Sequence, residues 1–445
     1  MTLRACIIGA GSSGIAAAKI LAGRGIPFDC FEKGSGIGGN WRFGNDNRMS
    51  SAYRSLHINT SKERSAYSDF PMPEDYPDFP HHSQLLEYFE RYVDHFGVRD
   101  RITFETEVVR AEPDGDGAWR VTTRGRDGTT VTGRYGAVLV ASGHHWDPNH
   151  PEIPGRFDGE TLHSHVYEAP EGFRDRRVLV VGVGNSGCDI VCELSRVAAR
   201  AFLSTRRGAH VIPKYLLGRP VDHWTTPLTS RLPFAVERQA FKLLLLLARG
   251  RQQAFGFPTP DHPVGSEHPT VSSELLDLIG HGRVTIKPDL DRLDGRRVHF
   301  VDGSAEEIDA IVYATGYRVS FPFFDRELID PSGNRVPLYR RVVHPRLRNL
   351  YFLGLIQPFG AIMPLAEAQA EWVADLLEGA AGLPAAGVME TRIERDRKRL
   401  RRRFVASPRH TLEVDFYPYL RELARERRRG RRRAPNRALG AGGVP

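Results

Sequence analysis

An α/β fold of two nucleotide-binding units, one set inside the other, is predicted by three observations. Two glycine fingerprints, Gly9-Ala-Gly11-Ser-Ser-Gly14 and Gly182-Val-Gly184-Asn-Ser-Gly187, each follow an apolar run and precede a helical pattern. Two further buried strands end in small-residue turns, Tyr135 to Gly143 and Ile308 to Gly316. The chain has 445 residues, enough for two or three domains with sizeable cores.

In such a fingerprint the first glycine permits a tight turn and the second lets backbone approach a pyrophosphate. The third lets the helix pack closely on the strand. The helix start adds free N–H groups and partial positive charge, which together suit an anion. Gly9, Gly11, Ser13 and Gly14 are therefore candidate contacts of one dinucleotide, and Gly182, Gly184, Asn185, Ser186 and Gly187 of a second. The end of the next strand tells the two apart. Phe28-Asp-Cys-Phe-Glu32-Lys33 ends in an acid about 20 residues on, as ribose hydroxyls of FAD or NAD require. Ala201-Phe-Leu-Ser-Thr205-Arg206-Arg207 ends in a basic pair. A guanidinium binds a 2′-phosphate bidentately, so Arg206 and Arg207 point to NADPH.

These signals place a FAD-binding domain over 1–155 and an inserted NADPH-binding domain over 156–308. The second part of the FAD-binding domain then covers 309–425. The first part contains a Pro- and Tyr-rich loop region near 40–80, a helix around Ser83 to Phe96 and a hairpin-like pair between Ile102 and Val131. The strands ending at Gly143 and Gly316 are twins, and after the second the chain is expected to return to the first domain. Seven prolines between 216 and 275 predict helices and loops that help enclose a site. Residues 426–445 read as a basic, disordered tail.

Composition narrows the function classes. Hydrophobic residues make up 40% and charged residues 26%, as in a globular protein that stays in water. The longest aliphatic burst, Leu243 to Ala248, falls far short of the ~20 residues of a membrane span. The N-terminus shows no signal peptide, so a cytoplasmic address is expected. Net charge is +8, but the excess gathers in Arg395 to Arg403 and Arg425 to Arg433 without interleaved aromatics that could stack bases. No specific nucleic-acid site follows. Cys6, Cys30, Cys188 and Cys192 form neither zinc spacing nor a redox pair and read as reduced core residues. The histidine pairs His81-His82 and His144-His145 lack the spacing of a metal site.

At Phe157-Asp-Gly159-Glu-Thr-Leu-His163-Ser-His-Val-Tyr167, lying between the fingerprints, the sequence resembles the identifying motif of flavin-containing monooxygenases. The likeness extends to Gly38-Gly39-Asn-Trp41, Asn59-Thr60-Ser-Lys62, Tyr67-Ser-Asp-Phe-Pro71, Ala314-Thr315-Gly316-Tyr317 and Arg409-His-Thr411, and so covers almost the whole chain. Membrane-bound animal members end in a long hydrophobic segment, whereas this chain ends in a polar, arginine-rich one and resembles soluble microbial members.

The resemblance implies FAD and NADPH as cofactors. It implies a monooxygenase that oxygenates soft nitrogen or sulfur atoms of small amines or sulfides with O₂, through a C4a-hydroperoxyflavin that bound NADP⁺ shields. Asn59 is then the active-site amide, able to donate and accept hydrogen bonds without offering an acid. Lys33, Gly39, Trp41, Thr60, Val108, Thr315, Gly316 and Gln357 complete the candidate cofactor-binding set, and the backbone at Gln357 is expected near the flavin pyrimidine. His163 reads as an organiser of the linker and nicotinamide site, with Tyr67 and Tyr317 as minor pocket candidates. A homodimer is expected by family analogy. Three other readings remain open: a Baeyer–Villiger monooxygenase, whose motif ends in Trp rather than Tyr167, an NADPH oxidase releasing hydrogen peroxide, and a disulfide reductase, which needs a cysteine pair that is not found.

Overall fold

The computed structural model describes residues 4–405 and 407–434. Its helices run, in chain order, α1 Ser12–Gly23, α2 Lys62–Ser65, α3 His82–His95, α4 Asn185–Leu194, α5 Phe234–Arg249, α6 Leu275–Gly280, α7 Met363–Leu377, α8 Ala386–Arg403 and α9 Phe416–Arg433.

Two five-stranded sheets, wholly parallel, carry the fingerprints. In the first, the order is Leu350–Phe352, Ala137–Val140, Ala5–Ile8, Phe28–Phe31, Ile102–Thr103. Ala5–Ile8 is buried along its whole length, as the central strand of a sheet covered on both faces must be. Ile8 pairs with both Phe31 and Val140, so Gly9, Glu32 and Ala141 emerge together at one carboxyl edge. In the second sheet the order is Glu160–His163, Ala310–Tyr313, Arg177–Val181, Arg200–Ser204, Val284–Lys287. Here Val181 pairs with Ser204 and Tyr313, bringing Gly182, Thr205 and Ala314 to one edge. Ligands of open parallel sheets bind beyond such edges.

Three expectations are corrected. The strand before the Ala314-Thr315-Gly316 turn does not lead back into the first sheet but lies in the second, between Glu160–His163 and Arg177–Val181. The chain rejoins the first sheet only at Leu350–Phe352. The hairpin-like pair is a three-stranded meander, Thr106–Pro113, Trp119–Gly125 and Thr130–Tyr135. Residues 426–433, expected as disordered tail, are the last turns of α9. Tyr419, Leu423, Glu426 and Gly430 are buried at helical spacing, and a Cβ on Gly430 would stand 2.9 Å from that of Ala381. The rest of the expected tail, 435–445, lies outside the described residues.

Helix α7 packs on α1 and α9, and an ionic seam joins the three. Arg24 and Arg427 both reach Asp375, at 2.7 Å each, and both contact Glu371. All four cysteines are free and buried. No described helix is long and apolar enough to cross a membrane.

Candidate active site

The first cradle is built by close backbone approach. Gly9 has φ +99°, and a Cβ on Gly14 would stand 1.9 Å from the Gly9 carbonyl oxygen, so only hydrogen fits there. Gly39 lies over Gly11, where an added Cβ would come within 3.1 Å of the Gly11 Cα. Its segment is fixed by the Gly38 N–H donating to the Ala10 carbonyl at 3.1 Å. Ser13 is buried against Gly354, a neighbour that the sequence reading missed.

Glu32 is buried at the strand end. Its Oε2 accepts from the Ala10 N–H at 2.8 Å, and its Oε1 accepts from Gly34 N–H at 2.8 Å and from Asn47 Nδ2 at 3.0 Å. The carboxylate is thereby held beside the first turn of α1, whose start has no side-chain cap, with acceptor capacity left on Oε2. These residues fit an adenosine pyrophosphate such as that of FAD. Asn47 was also missed; its place in the irregular 40–80 region carries no periodic signal. Lys33 pairs with Glu107 at 2.9 Å on the surface. Val108 is buried in the core beneath the meander.

A cleft of about 1160 Å³ opens beyond the carboxyl edge of the second sheet. It gathers Gly182, Gly184, Asn185, Ser186, Arg206, Arg207, Thr315 and Gly316, and faces them with Trp41, Asn59 and Gln357. Thr60 and Gly187 stand outside its lining, as do Gly39 and the first cradle. Gly187 has a packing role instead: a Cβ there would stand 2.0 Å from the Gly182 carbonyl oxygen. Asn185 uses its Oδ1 to accept the Val271 N–H at 2.7 Å, which draws the segment after α5 over the fingerprint. Arg206 is exposed and has no carboxylate partner among the described residues. Arg207 stands 3.8 Å from Asp261. A guanidinium free at the ribose position fits the 2′-phosphate of NADPH.

Asn59 sits in a bend pinned on both sides. Ile58 donates to the Pro80 carbonyl at 3.0 Å, and Asp222 Oδ2 accepts from the Ser61 N–H at 2.8 Å. The Asn59 Oδ1 is buried and has no hydrogen-bond partner among the described residues. Buried polar atoms are paired as a rule, so an orphan in a nucleotide cleft marks a ligand position. Lys214 donates to the Ile58 carbonyl at 3.4 Å and lies near Asp189, whose Oδ2 accepts from Tyr53 at 2.6 Å. Burial raises the Asp189 carboxyl to about 6, against the opposing pull of Tyr53 and Lys214.

Burial also pushes His144 down to about 4, despite its hydrogen bond to Gln357, and it does the same to His163, assisted by His150 and His165. Both imidazoles are neutral at pH 7, and the Nε2 of each is buried without a partner among the described residues. His163 Nδ1 accepts the His165 N–H at 3.1 Å and its ring lies 5.3 Å from that of Tyr317, a cleft residue. His144 reaches the cleft too, although the sequence suggested no function for it; a histidine pair after a buried strand carries no spacing that could have revealed one.

The strand pair Asp147–Pro148 and Tyr317–Arg318 carries the chain into and out of the second sheet. Thr315 Oγ1 donates to the Asn149 carbonyl at 2.6 Å, and Asn149 N–H to the Gly316 carbonyl at 2.9 Å. In the identifying motif, Gly159 admits no Cβ beside the Asp309 carbonyl at 2.6 Å, and Tyr167 donates to Glu193 at 2.9 Å.

Two glycine cradles at the carboxyl edges of parallel sheets, the second with an exposed guanidinium at its strand end, have the form of a protein that binds two dinucleotides. The family model for flavin-binding monooxygenase-like proteins matches residues 2–428. Flavin-containing monooxygenase 5 of Oryctolagus cuniculus is 38% identical over 95% of this chain and 82% of its own length. Dimethylaniline monooxygenase [N-oxide-forming] 2 of Mus musculus is 38% identical over 96% and 83%. Among solved structures, S-allyl-L-cysteine S-oxygenase from Allium sativum superposes with TM-score 0.72 at 27% identity, covering 96% of this chain and 88% of that one. The chain belongs to the flavin-binding monooxygenase-like family and is an FAD- and NADPH-dependent monooxygenase.

Proposed function

We propose that this protein places one oxygen atom on soft nucleophilic nitrogen or sulfur in small molecules. The balance is NADPH, H⁺, O₂ and substrate giving NADP⁺, water and the N-oxide or S-oxide. Bound FAD supplies the redox chemistry, taking reducing equivalents from NADPH and activating O₂.

The observation that carries the reading is the unpartnered Asn59 Oδ1 in the cleft that holds the second fingerprint. Its amide orients a ligand by accepting and donating without being an acid. His144, held neutral by burial, offers no imidazolium acid on that side of the cleft at neutral pH. Arg206 selects the phosphorylated cofactor, and the backbone N–H groups opening α4 receive the pyrophosphate. Trp41, Tyr317 and Gln357 wall the cleft. The N-oxide-forming and S-oxygenating relatives support the two acceptor classes. The homodimer and the cytoplasmic address belong to the same proposal.

The test is turnover of NADPH with a tertiary aryl amine or an aryl methyl thioether under ¹⁸O₂. One ¹⁸O in the N-oxide or sulfoxide, with NADPH consumed in near equal amount, is expected. Stoichiometric hydrogen peroxide without product would overturn the proposal in favour of an oxidase.

A further inference from the structure

A second hollow, of about 1280 Å³, lies between α8, α9, the start of α5 and the turn Tyr339 to Val342. It is separated from the nucleotide cleft by the paired strands Gln357–Phe359 and Glu413–Asp415, the first contributing Gln357 to the cleft and the second lining the hollow. Twelve arginines line it against five carboxylates. Those carboxylates are already engaged. Asp415 takes Arg403 through two contacts, Asp396 and Glu422 hold Arg392, Glu413 faces His268, and Asp261 faces His262. Arg341, Arg402, Arg425 and Arg429 form no ion pair among the described residues.

Arg341 is the informative member. It and Arg340 form the centre of a turn closed by the Val342 N–H donating to the Tyr339 carbonyl at 3.1 Å, with φ +60° and +54°. Such positions ordinarily go to asparagine or glycine. Arg340 is accounted for by Glu422 and Glu426. Among the described residues Arg341 has only the Thr411 carbonyl, at 2.9 Å, and burial disfavours its charge, with Arg399 and Arg397 adding to that against the opposing pull of Tyr419 and Asp396. The helix dipole accounts for arginines at the end of α8. It does not account for Arg341, Arg425 and Arg429 converging on the same concavity from other elements.

We propose that this hollow is a second ligand site, distinct from the NADPH cleft, that binds a small soluble polyanion carrying two or more linked phosphates. Guanidinium forks suit phosphate oxygens bidentately, and their spread over three elements matches several linked anionic groups better than one.

The experiment is calorimetric titration of inorganic tripolyphosphate into the FAD-loaded full chain saturated with NADP⁺, so that the cleft is filled. Expected are saturable 1:1 binding, at least tenfold weaker binding of monophosphate, and at least tenfold weakening in the triple variant R402Q/R425Q/R429Q with the KM for NADPH unchanged. Should the triple variant lose its flavin or its fold, R402Q alone, on the exposed last turn of α8, is expected to weaken binding three- to tenfold. Absence of saturable heat, affinity unaltered in the variants, or equally strong binding of oligo-dT or phosphatidylserine vesicles would each overturn the proposal.

Discussion

Removing the Arg206 guanidinium tests how the second cradle chooses its cofactor. In Arg206→Ala the phosphorylated ribose loses a charge-assisted contact worth about 1.5–3 kcal/mol. Arg206 is exposed, and ionic screening places the effect toward the lower bound. At about 1.4 kcal/mol per decade, the KM for NADPH rises about tenfold. NADH has no 2′-phosphate, so its KM stays within about twofold and the preference between cofactors collapses by the same factor. Arg207→Ala has a smaller effect, because that guanidinium already lies 3.8 Å from Asp261. The assay is steady-state oxidation of each cofactor at two ionic strengths, the penalty shrinking as salt rises. Equal changes for NADPH and NADH, or none, would refute the assignment of Arg206 to the phosphate.

Three further outcomes are expected. Asn59→Ala retains FAD and melts within a few degrees of the parent, because the Oδ1 has no partner to lose, while the share of NADPH electrons ending in hydrogen peroxide rises several-fold; unchanged coupling removes Asn59 from the chemistry. Gly187→Ala drives a Cβ to 2.0 Å from the Gly182 carbonyl oxygen and costs about 1–3 kcal/mol by urea unfolding, whereas Gly23→Ala, with nothing within 4 Å, is neutral or stabilising; equal behaviour of the two contradicts the close-packing account. His144 has a folded pKa near 4, below its unfolded value near 6.5, so the unfolded chain binds the proton first. Its contribution is present above pH 6.5 and is lost as pH falls toward 4, about 3 kcal/mol in all, and His144→Gln flattens the stability profile across that window; a profile of unchanged slope refutes it.

The two fingerprints, the acid at Glu32 and the basic pair at Arg206 and Arg207 were legible because each combines a local backbone demand with a fixed offset along one βαβ unit. Strand partnership was not. The apolar run at Ala310–Tyr313 announces a buried strand, but nothing in its composition says which sheet takes it. The helical character of 426–433 was present as Tyr419, Leu423, Glu426 and Gly430, yet the surrounding arginines masked the seam, and a buried glutamate reads as exposed until Arg340 and Arg433 are placed beside it. The orphan nitrogen of His144 depends on burial from all sides, which no linear pattern encodes.

The chain enters and leaves the second sheet through neighbouring strands, Asp147–Pro148 and Tyr317–Arg318, bonded side by side. A single covalent crossing would let the two sheets swing about every axis of a flexible joint. A ladder resists splay and shear and yields chiefly by bending across its flat face, as a strip of ribbon does. The two sheets of this chain are thus tied at two bonded crossings rather than one.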